Sequence, residues 1–254
     1  MTINLLSDIH CRNKSLPPHL NFDDLEKTDV LVIAGDLGTY PNRQKIIDRI
    51  NDKYKGIKYD ELITVWGNHD YYVTDKHWLK HHINQYIGPQ KTDNYIKIIG
   101  NVAFICTPMW TRIWRQSFIT TYMNDYNYIP GFTTQQENEL FDWNSEWIIN
   151  RIQDCKDRGY KTVVVTHHGP HPDCIEPRFE FNELNEAFYC LEPSIIDKFV
   201  NAEADLWLYG HSHSFDDRVI SKTRFVRNPY GYDWGPGYDE YLYTGFKLNT
   251  IIEI

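Results

Sequence analysis

Short apolar runs, each closing in a polar or glycine-bearing turn, recur along the chain at residues 3–6, 30–34, 62–66, 102–106, 163–166 and 206–209. Their length, their branched residues and their flanks predict buried β-strands. Between them lie segments of helical spacing at 43–54, 135–158 and 194–200. In the second of these Leu140, Trp143, Trp147, Ile148 and Ile152 recur at three- and four-residue steps, and Gly159 follows as a stop. Strands alternating with helices imply an α/β domain. Residues 219–226 and 246–254 read as strand-rich, with a Tyr/Gly/Pro-rich loop between them. With no repeat, linker or low-complexity tract, residues 1–254 are expected to form one domain. Residues 110–134 fit neither period and carry Trp110, Trp114, Tyr122, Tyr126, Tyr128 and Phe132. A loop of this length is expected either to be pinned by its own aromatics or to face a substrate.

Composition narrows the class. At 41% hydrophobic and 24% charged residues the chain is an ordinary globular protein. Its longest clean apolar run, 30–34, is far short of the roughly 20 residues of a membrane helix. The start lacks a basic residue ahead of its apolar stretch and a small-residue cleavage site, so cytoplasm is the expected compartment. Cys11, Cys106, Cys155, Cys174 and Cys190 are odd in number and scattered, which predicts free thiols rather than disulfides or a zinc knuckle. A net charge of -9 disfavours long nucleic acid as a partner.

The candidate chemistry lies at the ends of the predicted strands. Asp8-Ile9-His10 follows the first, and alternation along extended backbone would turn positions 8 and 10 the same way. Gly35-Asp36 follows the second, where open α/β sheets place ligands. Gly67-Asn68-His69-Asp70, His167-His168 and Gly210-His211-Ser212-His213 follow three more. Asp-x-His and Gly-Asp are each common as turn chemistry. Gly-His-x-His would arise by chance on the order of 0.03 times and Gly-Asn-His-Asp about 0.003 times in such a chain, so the ordered set points to metal ligation. His77 and His81 stand four apart, but Trp78 occupies the place of a zinc protease's glutamate, so they are expected on the surface with His19 and His82. His171 is near enough to His167 to line the site.

This ordered set of blocks strongly resembles the calcineurin-like metallophosphoesterases over nearly the whole chain. Met109-Trp110-Thr111, Met123-Asn124-Asp125-Tyr126 and Asn228-Pro229-Tyr230-Gly231-Tyr232 resemble a subgroup of single-domain prokaryotic and viral members, which more usually carries arginine in place of Tyr230. The resemblance implies a four-layer αββα sandwich, two mixed β-sheets flanked by helices. It implies two divalent ions, of Mn, Fe, Ni or Zn type, that activate water to cleave a phosphate mono- or diester. Asp8, His10, Asp36 and His213 would hold one ion; Asp36, shared, with Asn68, His167 and His211 would hold the other. His167 is preferred to His168 for its position nearer the strand end. His69 would be the general acid, with Asp70 as its orienting partner. A small phosphorylated substrate, of which a nucleotide is one candidate, is the expected partner. A nuclease acting on DNA or RNA, and a non-catalytic interaction scaffold on the same fold, are the alternatives.

Overall fold

The six apolar runs fall on six of the ten strands among the described residues, and most of those six have two apolar faces. The computed structural model describes residues 1–12, 15–233, 235 and 239–254. Strands β1 (Thr2–Leu6), β2 (Thr28–Ala34) and β3 (Tyr59–Val65) run parallel, with β10 (Ile251–Glu253) antiparallel beside β1. The second sheet has the order β4 (Tyr95–Ile99), β5 (Val102–Cys106), β6 (Lys161–Val165), β7 (Leu206–Tyr209), β9 (Thr223–Arg227), β8 (Asp216–Ile220). Its four central strands are parallel and both edge strands antiparallel.

Alternation assigns the faces. Val30, Val32 and Ala34 of β2 meet Val163 and Val165 of β6 between the sheets. Leu31 and Ile33 turn the other way onto Ile46, Ile47 and Ile50 of helix α1 (Arg43–Tyr54). Val164 and Trp207 turn outward onto Phe141, Ile148 and Ile152 of a long helix over 134–157. The layers are therefore helix, sheet, sheet, helix, as the resemblance implied. A strand buried on both faces reads as an unbroken apolar run, which is why these were legible. In the long helix the buried stripe is Leu140, Phe141, Ile148, Ile152 and Cys155, whereas Trp143 is turned outward beneath Lys91. Of the expected strand-rich end, 219–226 forms most of the β8–β9 hairpin, but only β10 within 246–254 is a strand. No helix among the described residues is long and apolar enough to cross a membrane.

Residues 110–134 are not a bare loop. They hold helices α3 (Gln116–Tyr122) and α4 (Asp125–Tyr128), which lead into α5 (Thr134–Asp157); α2 (Lys76–His82) lies earlier in the chain. Trp110 is 2% exposed and packs with Tyr71, Phe132 and His168, which favours the segment pinned by its own aromatics over Trp110 as a stacking surface for substrate. The segment is pinned by its neighbour helix: Thr111 Oγ1 and Tyr126 OH both donate to the buried Glu137 carboxyl of α5.

Burial, reinforced by Asp125, pushes the Glu137 carboxyl up to about 8 despite those donors. The folded chain then keeps a proton that the unfolded chain releases above the ordinary glutamate value, so stability falls as pH rises from about 4.5 to about 8. Glu137→Gln, which cannot ionise, should lack this contribution, and urea unfolding of both proteins across that range should show the variant gaining relative to wild type as pH rises. A constant difference between them would exclude a protonated Glu137.

Candidate metal centre

Parallel strands bring their carboxyl ends to one edge of each sheet, and the two edges meet. Asn228 Nδ2 donates to Leu5 O at 2.7 Å and Ser7 pairs with Pro229, tying the end of β9 to the end of β1. Around this seam Asp8, His10, Asp36 and His211 all have left-handed backbone, with φ of 53°, 49°, 53° and 70°. Asp8 and His10 thus share a site through turn geometry and not through strand alternation, because β1 ends at Leu6. Such conformations cost non-glycine residues of order 1–3 kcal/mol each and persist where surrounding structure enforces them.

Here the enforcing group is Asp70. Its carboxylate accepts the backbone N–H groups of Asp36 at 3.0 Å, Gly38 at 2.9 Å and Gly67 at 2.9 Å, and faces Arg43 Nε at 3.4 Å. It locks the Asp36 and Asn68 turns together and does not orient His69, which replaces the role expected for it. The glycines serve the same close approach: a Cβ on Gly67 would lie 2.1 Å from Asp36 Oδ1, and one on Gly35 2.2 Å from His167 Nδ1.

All the expected ligating side chains converge. Donor atoms of Asp8, His10 and His213 lie within 4.8 Å of one another, as do those of Asp36, His167 and His211, and those of His10, Asp36 and His69. Asn68 Oδ1 is 3.1 Å from His167 Nε2. His168 stands outside these groups, between Trp110 and His211, with Nδ1 3.2 Å from Pro108 O. His171 caps the turn at Pro172–Cys174 and does not line the cavity. His77 and His81 are exposed on α2, and His19 stacks on Tyr241.

The donor set calls for positive charge. His167 Nδ1 is 2.9 Å from Ala34 O, which only accepts, so Nδ1 carries a hydrogen and, in the neutral ring, Nε2 presents a lone pair. That lone pair faces two more acceptors, Asn68 Oδ1 and Asp36 Oδ1 at 3.5 Å, while the Asn68 amide group donates to Tyr72 OH. His10 Nε2 and His213 Nε2 likewise face each other at 3.1 Å, and Glu240 accepts from His213 Nδ1 at 2.7 Å. Backing an imidazole with an acceptor, as Ala34 O backs His167 and Glu240 backs His213, is how proteins aim its other nitrogen at a metal, so these residues fit divalent cations. Charge tells the same story. Burial opposes a positive His167, yet Asp36 raises it to about 9; burial opposes a positive His213, yet Asp8 and Glu240 raise it to about 10. Burial would raise Asp36, yet His167 and His69 hold it well below its ordinary value.

His69 stacks on Tyr72 at 4.3 Å, meets His10 edge-on and lies 3.4 Å from Tyr232 OH. It opens into a cavity of about 410 Å³ whose far wall includes Tyr122, Met123, Arg178 and Phe179. Glu240, Tyr232 and Asp125 were missed by the sequence reading. The buried Asp125 carboxyl, raised by burial, lies against His69 and Asn68. None of the three sits in a strand-end motif, and only Asp125 and Tyr232 fell within motifs singled out at all.

Comparison with known proteins agrees with this geometry. A sequence model of the calcineurin-like phosphoesterase family matches residues 1–215, and the chain belongs to that family. It is 25% identical over 225 residues, 80% of this chain and 78% of the other, to "Uncharacterized protein L509" of Acanthamoeba polyphaga mimivirus. Among solved structures it is similar in fold to the phosphopantetheinyl hydrolase PptH of Mycobacterium tuberculosis, with a TM-score of 0.61 and 14% identity, covering 100% of this chain and 95% of that one.

If Asp70 is a backbone clamp, Asp70→Ala strands buried N–H donors and the Arg43 charge, which costs about 3–5 kcal/mol of stability. Urea unfolding should record that loss. A fully stable Asp70→Ala protein with a selective defect in turnover would restore the orienting role.

Proposed function

We propose that this chain is a dinuclear metal-dependent phosphoesterase acting on a small phosphorylated substrate, monoester or diester. The observation that carries it is the inward crowding of potential metal-ligating atoms, His167 Nε2 against Asn68 Oδ1 and Asp36 Oδ1. Asp8, His10, Asp36 and His213 would hold one ion, and Asp36, Asn68, His167 and His211 the other. Mixed imidazole and oxygen donors suit Mn, Fe, Ni or Zn over Mg or Ca. Bound there, such cations supply activation of water and neutralisation of charge on the phosphoryl oxygens.

The chain's own residues do the rest. Asp36 groups with His167 and His211 and also lies 3.8 Å from His10 Nε2 of the other set, so it would fix their spacing. His69, outside the seven ligands and facing the cavity, protonates the departing alkoxide, held in plane by Tyr72 and within reach of Tyr232 OH. The cavity is of the size that takes a small ligand. Arg178 there is paired with Glu176, and the net charge is -9, which argues against a nuclease that tracks a long polyanion. The presence of every ligand together with His69 argues against a scaffold that has lost its chemistry. Five buried cysteines without a disulfide suit a cytoplasmic location.

Elemental analysis of the purified protein should give close to two transition-metal ions per chain. Asp36→Asn should lose both, and Asp8→Asn chiefly one; equal losses would remove the bridging role. Removal of His69 gives the sharper test. General acid catalysis contributes about 10² to 10⁴ in rate, and it matters only for a poor leaving group. His69→Ala, with metal content matched, should lose nearly that whole factor in kcat/KM on an alkyl phosphate and much less on a p-nitrophenyl ester. Equal loss on both would withdraw the general-acid assignment.

A further inference from the structure

Behind the metal ligands lies a buried charge that the scheme above does not use. Arg227, the last residue of β9, is 1% exposed. Its hydrogen bonds go to neutral oxygens: Nε donates to Ser214 O at 2.6 Å, one amino group to Tyr189 OH at 2.8 Å and the other to Ser214 Oγ at 2.9 Å. Asp216, on the neighbouring strand, is taken up instead by Arg218 and by Tyr209 OH. Among the described residues no carboxylate forms an ion pair with Arg227. Asp216, its partner across the β8–β9 ladder, and the face of Tyr209 answer part of its field, but with no carboxylate in direct contact the burial remains costly.

The hydrogen bonds give that field a direction. A guanidinium can only donate, so Tyr189 OH accepts from it. Tyr189 OH is also 2.6 Å from Ser212 Oγ, a contact in which either hydroxyl can donate; with Arg227 occupying one lone pair of the phenol, the arrangement suited to binding an anion is the one that turns the phenolic hydrogen to Ser212 Oγ. Ser212 Oγ is then left with its own hydrogen, and Ser212 lines the cavity between the ligands His211 and His213. Ser214, bonded directly to Arg227, lines it on the other side of His213. The relay is built into the backbone. Gly169 pairs with Tyr189 as a parallel bridge, and a Cβ on Gly169 would lie 2.2 Å from the tyrosine ring, so that ring rests on bare backbone just after His168.

We propose that Ser212 and Ser214, polarised by Arg227 directly and through Tyr189, form an anion subsite that takes a non-bridging phosphoryl oxygen of the substrate. Ser212 donates the hydrogen bond; Tyr189 and Arg227 are positioning residues that fix its direction and strengthen it, since chains of hydrogen bonds polarise one another and bonds to charged groups are the stronger ones. A hydroxyl whose hydrogen faces the cavity, backed by a buried cation, favours an anion over a neutral alcohol. This subsite rests on the phosphoesterase reading, because that reading supplies the phosphoryl group beside His211 and His213.

The test is calorimetric binding of inorganic phosphate to Mn-loaded protein, with metal content matched among wild type, Ser212→Ala, Ser212→Thr, Tyr189→Phe and the double variant Ser212→Ala/Tyr189→Phe. Ser212→Ala and Tyr189→Phe should each weaken phosphate binding roughly 10-fold. Ser212→Thr, which keeps the hydroxyl, should bind as wild type does. Because both groups act through one hydrogen bond, the double variant should be no weaker than the weaker single variant. Ser212 is only half-buried, so Ser212→Ala keeps the test open even if Tyr189→Phe disturbs packing around Arg227. Wild-type affinity in Ser212→Ala, or losses that multiply in the double variant, would overturn the subsite while leaving ester hydrolysis in place. A loaded wild-type protein that neither binds phosphate nor hydrolyses any ester would overturn the phosphoesterase reading as well.

Discussion

Crowding of inward-facing imidazole, amide and carboxylate groups is the constraint around which this protein is arranged. His167 Nε2, Asn68 Oδ1 and Asp36 Oδ1 crowd one point, and His10 and His213 crowd another. Such clusters are stable only with positive charge among them. The surrounding structure resists their relaxing apart. Asp70 gathers three backbone N–H groups from both turns, Ala34 O and Glu240 hold the outer nitrogens of two imidazoles, and four of the residues in the cluster keep left-handed backbone.

That resistance comes from the sandwich. Parallel pairing aligns the carboxyl ends of β1, β2 and β3, and those of β6 and β7, so turns from two sheets meet along a seam closed by Asn228 and Pro229. The apolar layer between the sheets lies directly beneath, and a change of register by one residue would turn Val30, Val32 and Ala34 out of it. Core and site are therefore coupled: the packing that stabilises the fold also fixes the spacing of the ligands.

The 110–134 segment joins the two parts in a way its composition did not reveal. Its large aromatics split by role, Trp110 and Phe132 entering the core while Tyr122 stands 62% exposed at the cavity. Between them Asp125 is carried down against Asn68 and His69. A stretch that reads as one aromatic loop is two short helices with a buried side and a cavity side.

The sequence by itself determined the strands with two apolar faces, the α/β alternation and the strand-end motifs, because each depends on residues close together in the chain: period, flanks and spacing. Asp8, His10, Asp36, Asn68, His211 and His213 were legible for that reason, and so was the exposure of His77 and His81. Only the tertiary structure decided what depends on contacts between distant residues. Asp70 looked like a partner for its neighbour His69 and proved to clamp Gly38 and Asp36; His168 turned away while His167 turned in; Glu240 came back from 27 residues beyond His213 to hold its ring. Buried polar groups take whatever partner the fold brings within about 3 Å, and no local pattern records which distant residue that will be.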